Sequence, residues 1–121
     1  MKLFFALLLP VAAWAGNAEK GKAIATAGGE ASCILCHAIP GAPSARPAGT
    51  LGPSLAGIGR RLSAGELKAR IVDASRVNPD TAMPPYGRTR RLYQVASQYR
   101  GKPLLSDPEI DDVVAFLLTL K

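Results

Sequence analysis

Apolar positions in this chain form three helical stripes separated by loops rich in proline and glycine. The clearest stripe is C-terminal, where Ile110, Val113, Val114 and Leu117 recur at i, i+3, i+4 and i+7 and line one helix face. Ser106-Asp107-Pro108-Glu109 is a capping box with proline in the first turn, so a helix is predicted from there to about Leu120. A second capping box, Ser63-Ala64-Gly65-Glu66, opens a helix predicted to reach about Ala74, with Leu67, Ile71 and Ala74 inward. Asn17 is an N-cap for a helix through Ala27, with Ala23, Ile24 and Ala27 as its apolar face and Gly28-Gly29 as its end. Gly21 is unfavourable inside that helix by roughly 1 kcal/mol against alanine. It predicts a close helix crossing, with Phe116 as the expected contact.

The remaining segments are loops. Residues 38 to 62 carry four prolines and five glycines, too long an irregular stretch for a small domain unless it wraps something. Residues 88 to 104 show no period beyond room for one short helix. With no βαβ strand pattern, the fold class is all-α: a small helical domain.

The N-terminus changes what counts as the domain. Lys2, an apolar run from Leu3 to Trp14 and the small-x-small Ala13-Trp14-Ala15 make a secretory signal. The run is shorter than the roughly 20 residues a bilayer span needs. The expectation is a signal peptide over 1–15, cleaved, a domain over 16–121, a periplasmic location and no membrane span. Cleavage removes Phe4, Phe5 and Trp14 and leaves Tyr86, Tyr93, Tyr99 and Phe116 as the only aromatic residues. A chain this short must bury a large apolar fraction, and a large apolar cofactor would supply what the aromatics do not.

Cys33-Ile34-Leu35-Cys36-His37 points to that cofactor. Two thiols one turn apart beside an imidazole suit covalent attachment of one haem c, with Cys33 and Cys36 forming thioethers and His37 ligating iron. A thioredoxin-type redox pair wants a βαβ setting. Zinc wants more ligands than Cys33, Cys36 and His37, the only Cys and His residues in the chain. A small disulfide loop leaves the adjoining histidine without a purpose. A carbonyl or carboxylate that accepts from its other nitrogen usually orients a ligating imidazole, and the Pro53 carbonyl in Gly52-Pro53-Ser54-Leu55 can accept from His37 Nδ1; a plain turn is the other reading of that segment. With His37 and both cysteines assigned, Met83 in Asp80-Thr81-Ala82-Met83-Pro84-Pro85-Tyr86 is the candidate sixth iron ligand by elimination. Tyr86, a lysine or an open site are the alternatives. With both axial positions filled no substrate reaches iron, so no catalytic residue is expected; an open site would instead bind small ligands.

Charge adds a candidate surface. The net charge is +6, and residues 60 to 102 hold ten Lys/Arg against three acids. This is either a solvated face or a docking surface for an acidic partner. Nucleic acid is a poor partner for an exported haem protein.

The motifs C-I-L-C-H, G-P-S-L-A-G-I-G-R-R-L, N-P-D-T-A-M-P-P-Y, Y-R-G-K-P-L-L and D-D-V-V-A-F-L together resemble the SoxX cytochromes of bacterial sulfur oxidation, from about Ala18 to Leu120. The resemblance implies a class I cytochrome c fold, haem on Cys33 and Cys36, and iron held by His37 and Met83. It also implies a SoxA-type haem c subunit as partner. That complex couples thiosulfate oxidatively to a cysteine thiol of a carrier protein, an L-cysteine S-thiosulfotransferase activity, and this subunit passes the electrons to a downstream cytochrome c. A free monohaem carrier in another respiratory chain is the alternative.

Overall fold

The computed structural model describes residues 15–42 and 49–121, and these contain helices and turns but no strand. The apolar N-terminal run falls outside the described residues. The helices are α1 (Ala18–Thr26), α2 (Ile58–Arg61), α3 (Ala64–Asp73) and α4 (Asp107–Leu118). Single 3-10 turns lie at Cys33–Leu35, Ala74–Arg76 and Ser97–Tyr99.

Each long helix begins where its side chains satisfy the free amides of a first turn. Ser106 and Glu109 exchange side-chain to backbone hydrogen bonds at 2.7 and 3.4 Å, and Ser63 and Glu66 do the same at 2.8 and 3.2 Å. The Asn17 carboxamide oxygen accepts from the Lys20 amide at 3.0 Å. Gly28, at φ 76°, takes the left-handed turn that ends α1.

The predicted stripe of α4 is the centre of the core. Ile110, Val113 and Val114 are fully buried, and Phe116 and Leu117 nearly so. Helices α1, α2 and α3 all pack on α4. Lys68 joins α3 to α4 by reaching Asp111 at 2.8 Å and Asp107 at 3.1 Å, and those carboxylates, Asp111 foremost, hold its ammonium pKa above the usual lysine value.

Two expectations for α1 need correcting. The nearest atoms to a Cβ placed on Gly21 are the Asp112 carbonyl oxygen at 1.9 Å and carbon at 2.4 Å, then the Val113 nitrogen. The crossing is therefore backbone against backbone, one turn before Phe116. The buried residues of α1 are Gly21 and Ala25, whereas Ala23 and Ala27 are exposed and Ile24 is half-buried. A crossing this close is set by the smallest side chains rather than by the most apolar ones. The Asn17 amide adds a hydrogen bond of 2.7 Å to the Asp112 carboxylate.

Helix α2 is a single turn inside the segment read as loop. It carries no capping side chain, and contact with the end of α4 defines it: a Cβ on Gly59 would lie 2.6 Å from the Leu118 carbonyl oxygen, and the Gly59 amide donates to the Leu120 carbonyl just beyond the helix at 2.9 Å. The region 88 to 104 holds only the Ser97–Tyr99 turn.

Candidate functional site

The cysteine-bearing turn is laced on one side to the glycine- and proline-rich loop. The amides of Gly49, Gly52 and Leu55 donate to the carbonyls of Ile34, Cys36 and Ala38 at 3.0, 2.7 and 2.9 Å. Ile34, Ile39 and Leu55 are buried along this seam. A Cβ on Gly49 would lie 1.9 Å from the Leu35 carbonyl oxygen, so the loop runs flush against the motif backbone.

Gly52 and Pro53 together hold the imidazole. His37 Nδ1 lies 2.6 Å from the Pro53 carbonyl oxygen. A carbonyl only accepts, so this contact selects the tautomer with the proton on Nδ1 and the lone pair on Nε2. A Cβ on Gly52 would stand 2.4 to 2.8 Å from Cε1, Nδ1 and Nε2, so the ring occupies the space glycine leaves open.

Cys33 and Cys36 are free thiols, both partly exposed. Burial pushes the Cys33 thiol up to about 11. A redox-active or nucleophilic cysteine needs the opposite, a lowered pKa, so a thioredoxin-type role does not fit this environment. Among the described residues no group of three or more His, Cys, Asp or Glu side chains is arranged to hold a metal ion. Two thiols one turn apart and an imidazole with its Nε2 lone pair preserved are the groups that covalent haem attachment requires.

The second loop is tied to the end of α3. Tyr86 and Gly87 amides donate to Ile71 and Val72 carbonyls at 3.1 and 3.2 Å. The next pair continues the register, with Arg88 Nε 3.4 Å from the buried Asp73 carboxylate. On the far side the Leu105 amide donates to the Tyr86 carbonyl at 3.1 Å. Tyr86 is buried, which pushes its phenol up to about 12, with the neighbouring Cys33 and Cys36 sulfurs adding to the shift. Met83 packs half-buried against the same core as Cys33, and its amide donates to Thr81 Oγ1 at 3.1 Å. The structure thus brings Cys33, Cys36, His37 and Pro53 together and sets Tyr86 beside the cysteines.

The Asp73 pair makes a pH prediction. The Ser75 hydroxyl first, then the Arg88 charge, holds the Asp73 carboxyl below the usual carboxylate range. A depressed folded pKa contributes stability that is present above about pH 4 and lost as pH falls through the folded value. Asp73→Asn is expected to lower stability at pH 7 and to flatten the loss of stability below pH 4; denaturant titrations at a series of pH values read both.

Sequence reasoning missed Gly52 as a cradle and Arg88 as a loop anchor. The signal for Gly52 was its place before Pro53, but only a fold can show which ring occupies the space. Nothing in the sequence pairs Arg88 with Asp73.

A family model described as cytochrome c matches residues 18–121. The chain belongs to the cytochrome c family. As a cytochrome c it is an electron-transfer domain, and the family carries covalently bound haem c. A search of solved structures finds a chain of the crystal structure of SoxXA from P. pantotrophus, with a TM-score of 0.79 and 33% identity, covering 88% of this chain and 82% of that one. That likeness agrees with the SoxX resemblance of the motifs and with the all-α class I cytochrome c fold. No curated protein matched the sequence. Among the described residues no helix is long and apolar enough to cross a membrane.

Proposed function

We propose that this cytochrome c is the electron-accepting subunit of a SoxXA-type complex, exported to the periplasm by residues 1–15 and carrying one haem on Cys33 and Cys36. The observation that carries this reading is the 33% identity to the SoxXA chain over nearly the whole domain. In it a SoxA-type subunit hosts the oxidative coupling of thiosulfate to a carrier-protein cysteine, and this subunit delivers the electrons to a downstream cytochrome c.

The residues supply positioning rather than catalysis. Bound haem supplies a one-electron ferric/ferrous couple. Cys33 and Cys36 tether it, His37 presents Nε2, and the Pro53 carbonyl with the Gly52 cradle fixes the ring's rotation. Met83 would supply the sixth ligand, and Pro84-Pro85 with the ladder from Ile71 to Asp73 would keep its loop in place. With both His37 and Met83 bound, the haem would be closed to substrates and would offer electron exchange as its chemistry.

Mixing the haem-loaded chain with its SoxA-type subunit, a thiol carrier and thiosulfate is expected to reduce the haem; omission of the SoxA-type subunit should abolish reduction. A chain that forms no complex with that subunit, yet is reduced by other periplasmic donors, would instead be the free carrier. Met83→Ala is expected to lower the reduction potential and to let the ferric protein bind cyanide, both read by spectroscopic titration.

A further inference from the structure

From Thr81 to Ser106 the chain contains no acidic residue but five cations, Arg88, Arg90, Arg91, Arg100 and Lys102. Arg88 faces Asp73. Among the described residues the other four make no ion pair, in a chain where Lys68 has two. Tyr93 stands among them, 92% exposed. The loop is shaped to raise it: Arg91 at φ 57° and Gln94 at φ 52° are the only non-glycine residues in the left-handed region among the described residues, and they bracket Leu92 and Tyr93. Side chains disfavour that region, and such strain concentrates at functional surfaces. Beside Tyr93 lies a shallow cleft lined by Glu30, Pro85, Val95, Tyr99 and Leu104.

We infer that the loop from Arg88 to Lys102 is a docking surface for an acidic protein face, with Tyr93 at its centre and Arg90, Arg91, Arg100 and Lys102 around it. The inference rests on the proposed function, and the occupant is the acidic face of the SoxA-type subunit. Chemistry favours a protein over a lipid surface. Three of the four cations are arginines, whose planar guanidinium matches carboxylates through paired hydrogen bonds. Tyrosine and arginine are the residues that dominate the energetics of protein interfaces, especially beside a pocket. A lone tyrosine is a poor membrane wedge. The positive field speeds encounter, and the aromatic centre sets the lifetime of the complex.

The test uses the haem-loaded chain and its purified SoxA-type subunit, with affinity measured across a salt series. R90E/R91E is expected to weaken binding ten-fold or more and to flatten the salt dependence. Tyr93→Ala is expected to shorten the lifetime with a nearly unchanged association rate. Both variants should keep the wild-type haem spectrum and potential, which separates docking from folding. K20E/K121E makes the same change in net charge at exposed positions elsewhere and should bind like wild type. Equal weakening by K20E/K121E would reduce the effect to overall charge and overturn the inference. Unchanged binding of R90E/R91E overturns it while leaving the complex, and the proposed function, intact. A wild-type chain that does not bind the subunit overturns both. Loop-dependent binding to phosphatidylglycerol vesicles without loop-dependent binding to the subunit would assign the surface to a membrane instead.

Discussion

Gly21→Ala is expected to destabilise the domain by about 2–3 kcal/mol, although the same change in an exposed helix would stabilise it by roughly 1 kcal/mol. The sign is decided by contact distance. An alanine Cβ there would sit 1.9 Å from the Asp112 carbonyl oxygen and 2.4 Å from its carbon, both backbone atoms of α4 that no rotamer can move. Helix α1 must then back away, opening the seam over Ala25 and straining the 2.7 Å bond between the Asn17 amide and the Asp112 carboxylate. For a domain of about 100 residues the loss corresponds to a fall in Tm of roughly 10–20 °C. Thermal and denaturant unfolding read it directly. Gly65→Ala is the internal control, because nothing lies within 4 Å of a Cβ at that position of α3. A neutral or stabilising Gly21→Ala would mean that α1 slides on α4 without cost.

Gly52→Ala is expected to disturb His37, the proposed haem ligand, more than the fold. Gly52 does not have a positive φ, so alanine meets no backbone penalty; its methyl group meets the His37 ring at 2.4 Å from Cε1 and 2.6 Å from Nδ1. The ring must tilt or leave, and the 2.6 Å bond from Nδ1 to the Pro53 carbonyl goes with it. Losing a group that orients a metal ligand typically costs on the order of ten- to a hundred-fold in affinity or activity. The expected signature is an altered axial-ligand spectrum, a shifted reduction potential and a lower yield of haem-loaded protein, with secondary structure by circular dichroism retained. A wild-type spectrum in Gly52→Ala would show that the ring is not packed on this loop in the loaded protein.

These two glycines mark how far a sequence can be read. Capping boxes are local, three residues from donor to acceptor, so the starts of α3 and α4 were legible as written. The stripe on α4 was legible because 3.6-residue periodicity is a property of one helix alone. Gly21 announced a close crossing, but its partner lies 91 positions away in the chain, and no local rule chooses Asp112 over Phe116. The Cys33–His37 motif carried its own chemistry. What surrounds it did not: the loop of residues 49–55 lies flush with the motif only because three amides find three carbonyls in register. Arg88 and Asp73 are a pair made by topology, placed opposite each other once Tyr86 and Gly87 have bonded to Ile71 and Val72.

The position of α4 has a consequence for the order in which this protein is made. The other three helices all pack on it, and it is the last helix of the chain. A chain emerging from its N-terminus therefore exposes Cys33 and Cys36 before α1, α2 and α3 have α4 to settle against. Helix α1, with only nine residues, is too short to be stable alone, and the bond from Gly59 to Leu120 waits for the segment that follows α4. Until α4 is in place both thiols are less enclosed, so under the proposed function the topology leaves an interval for haem attachment.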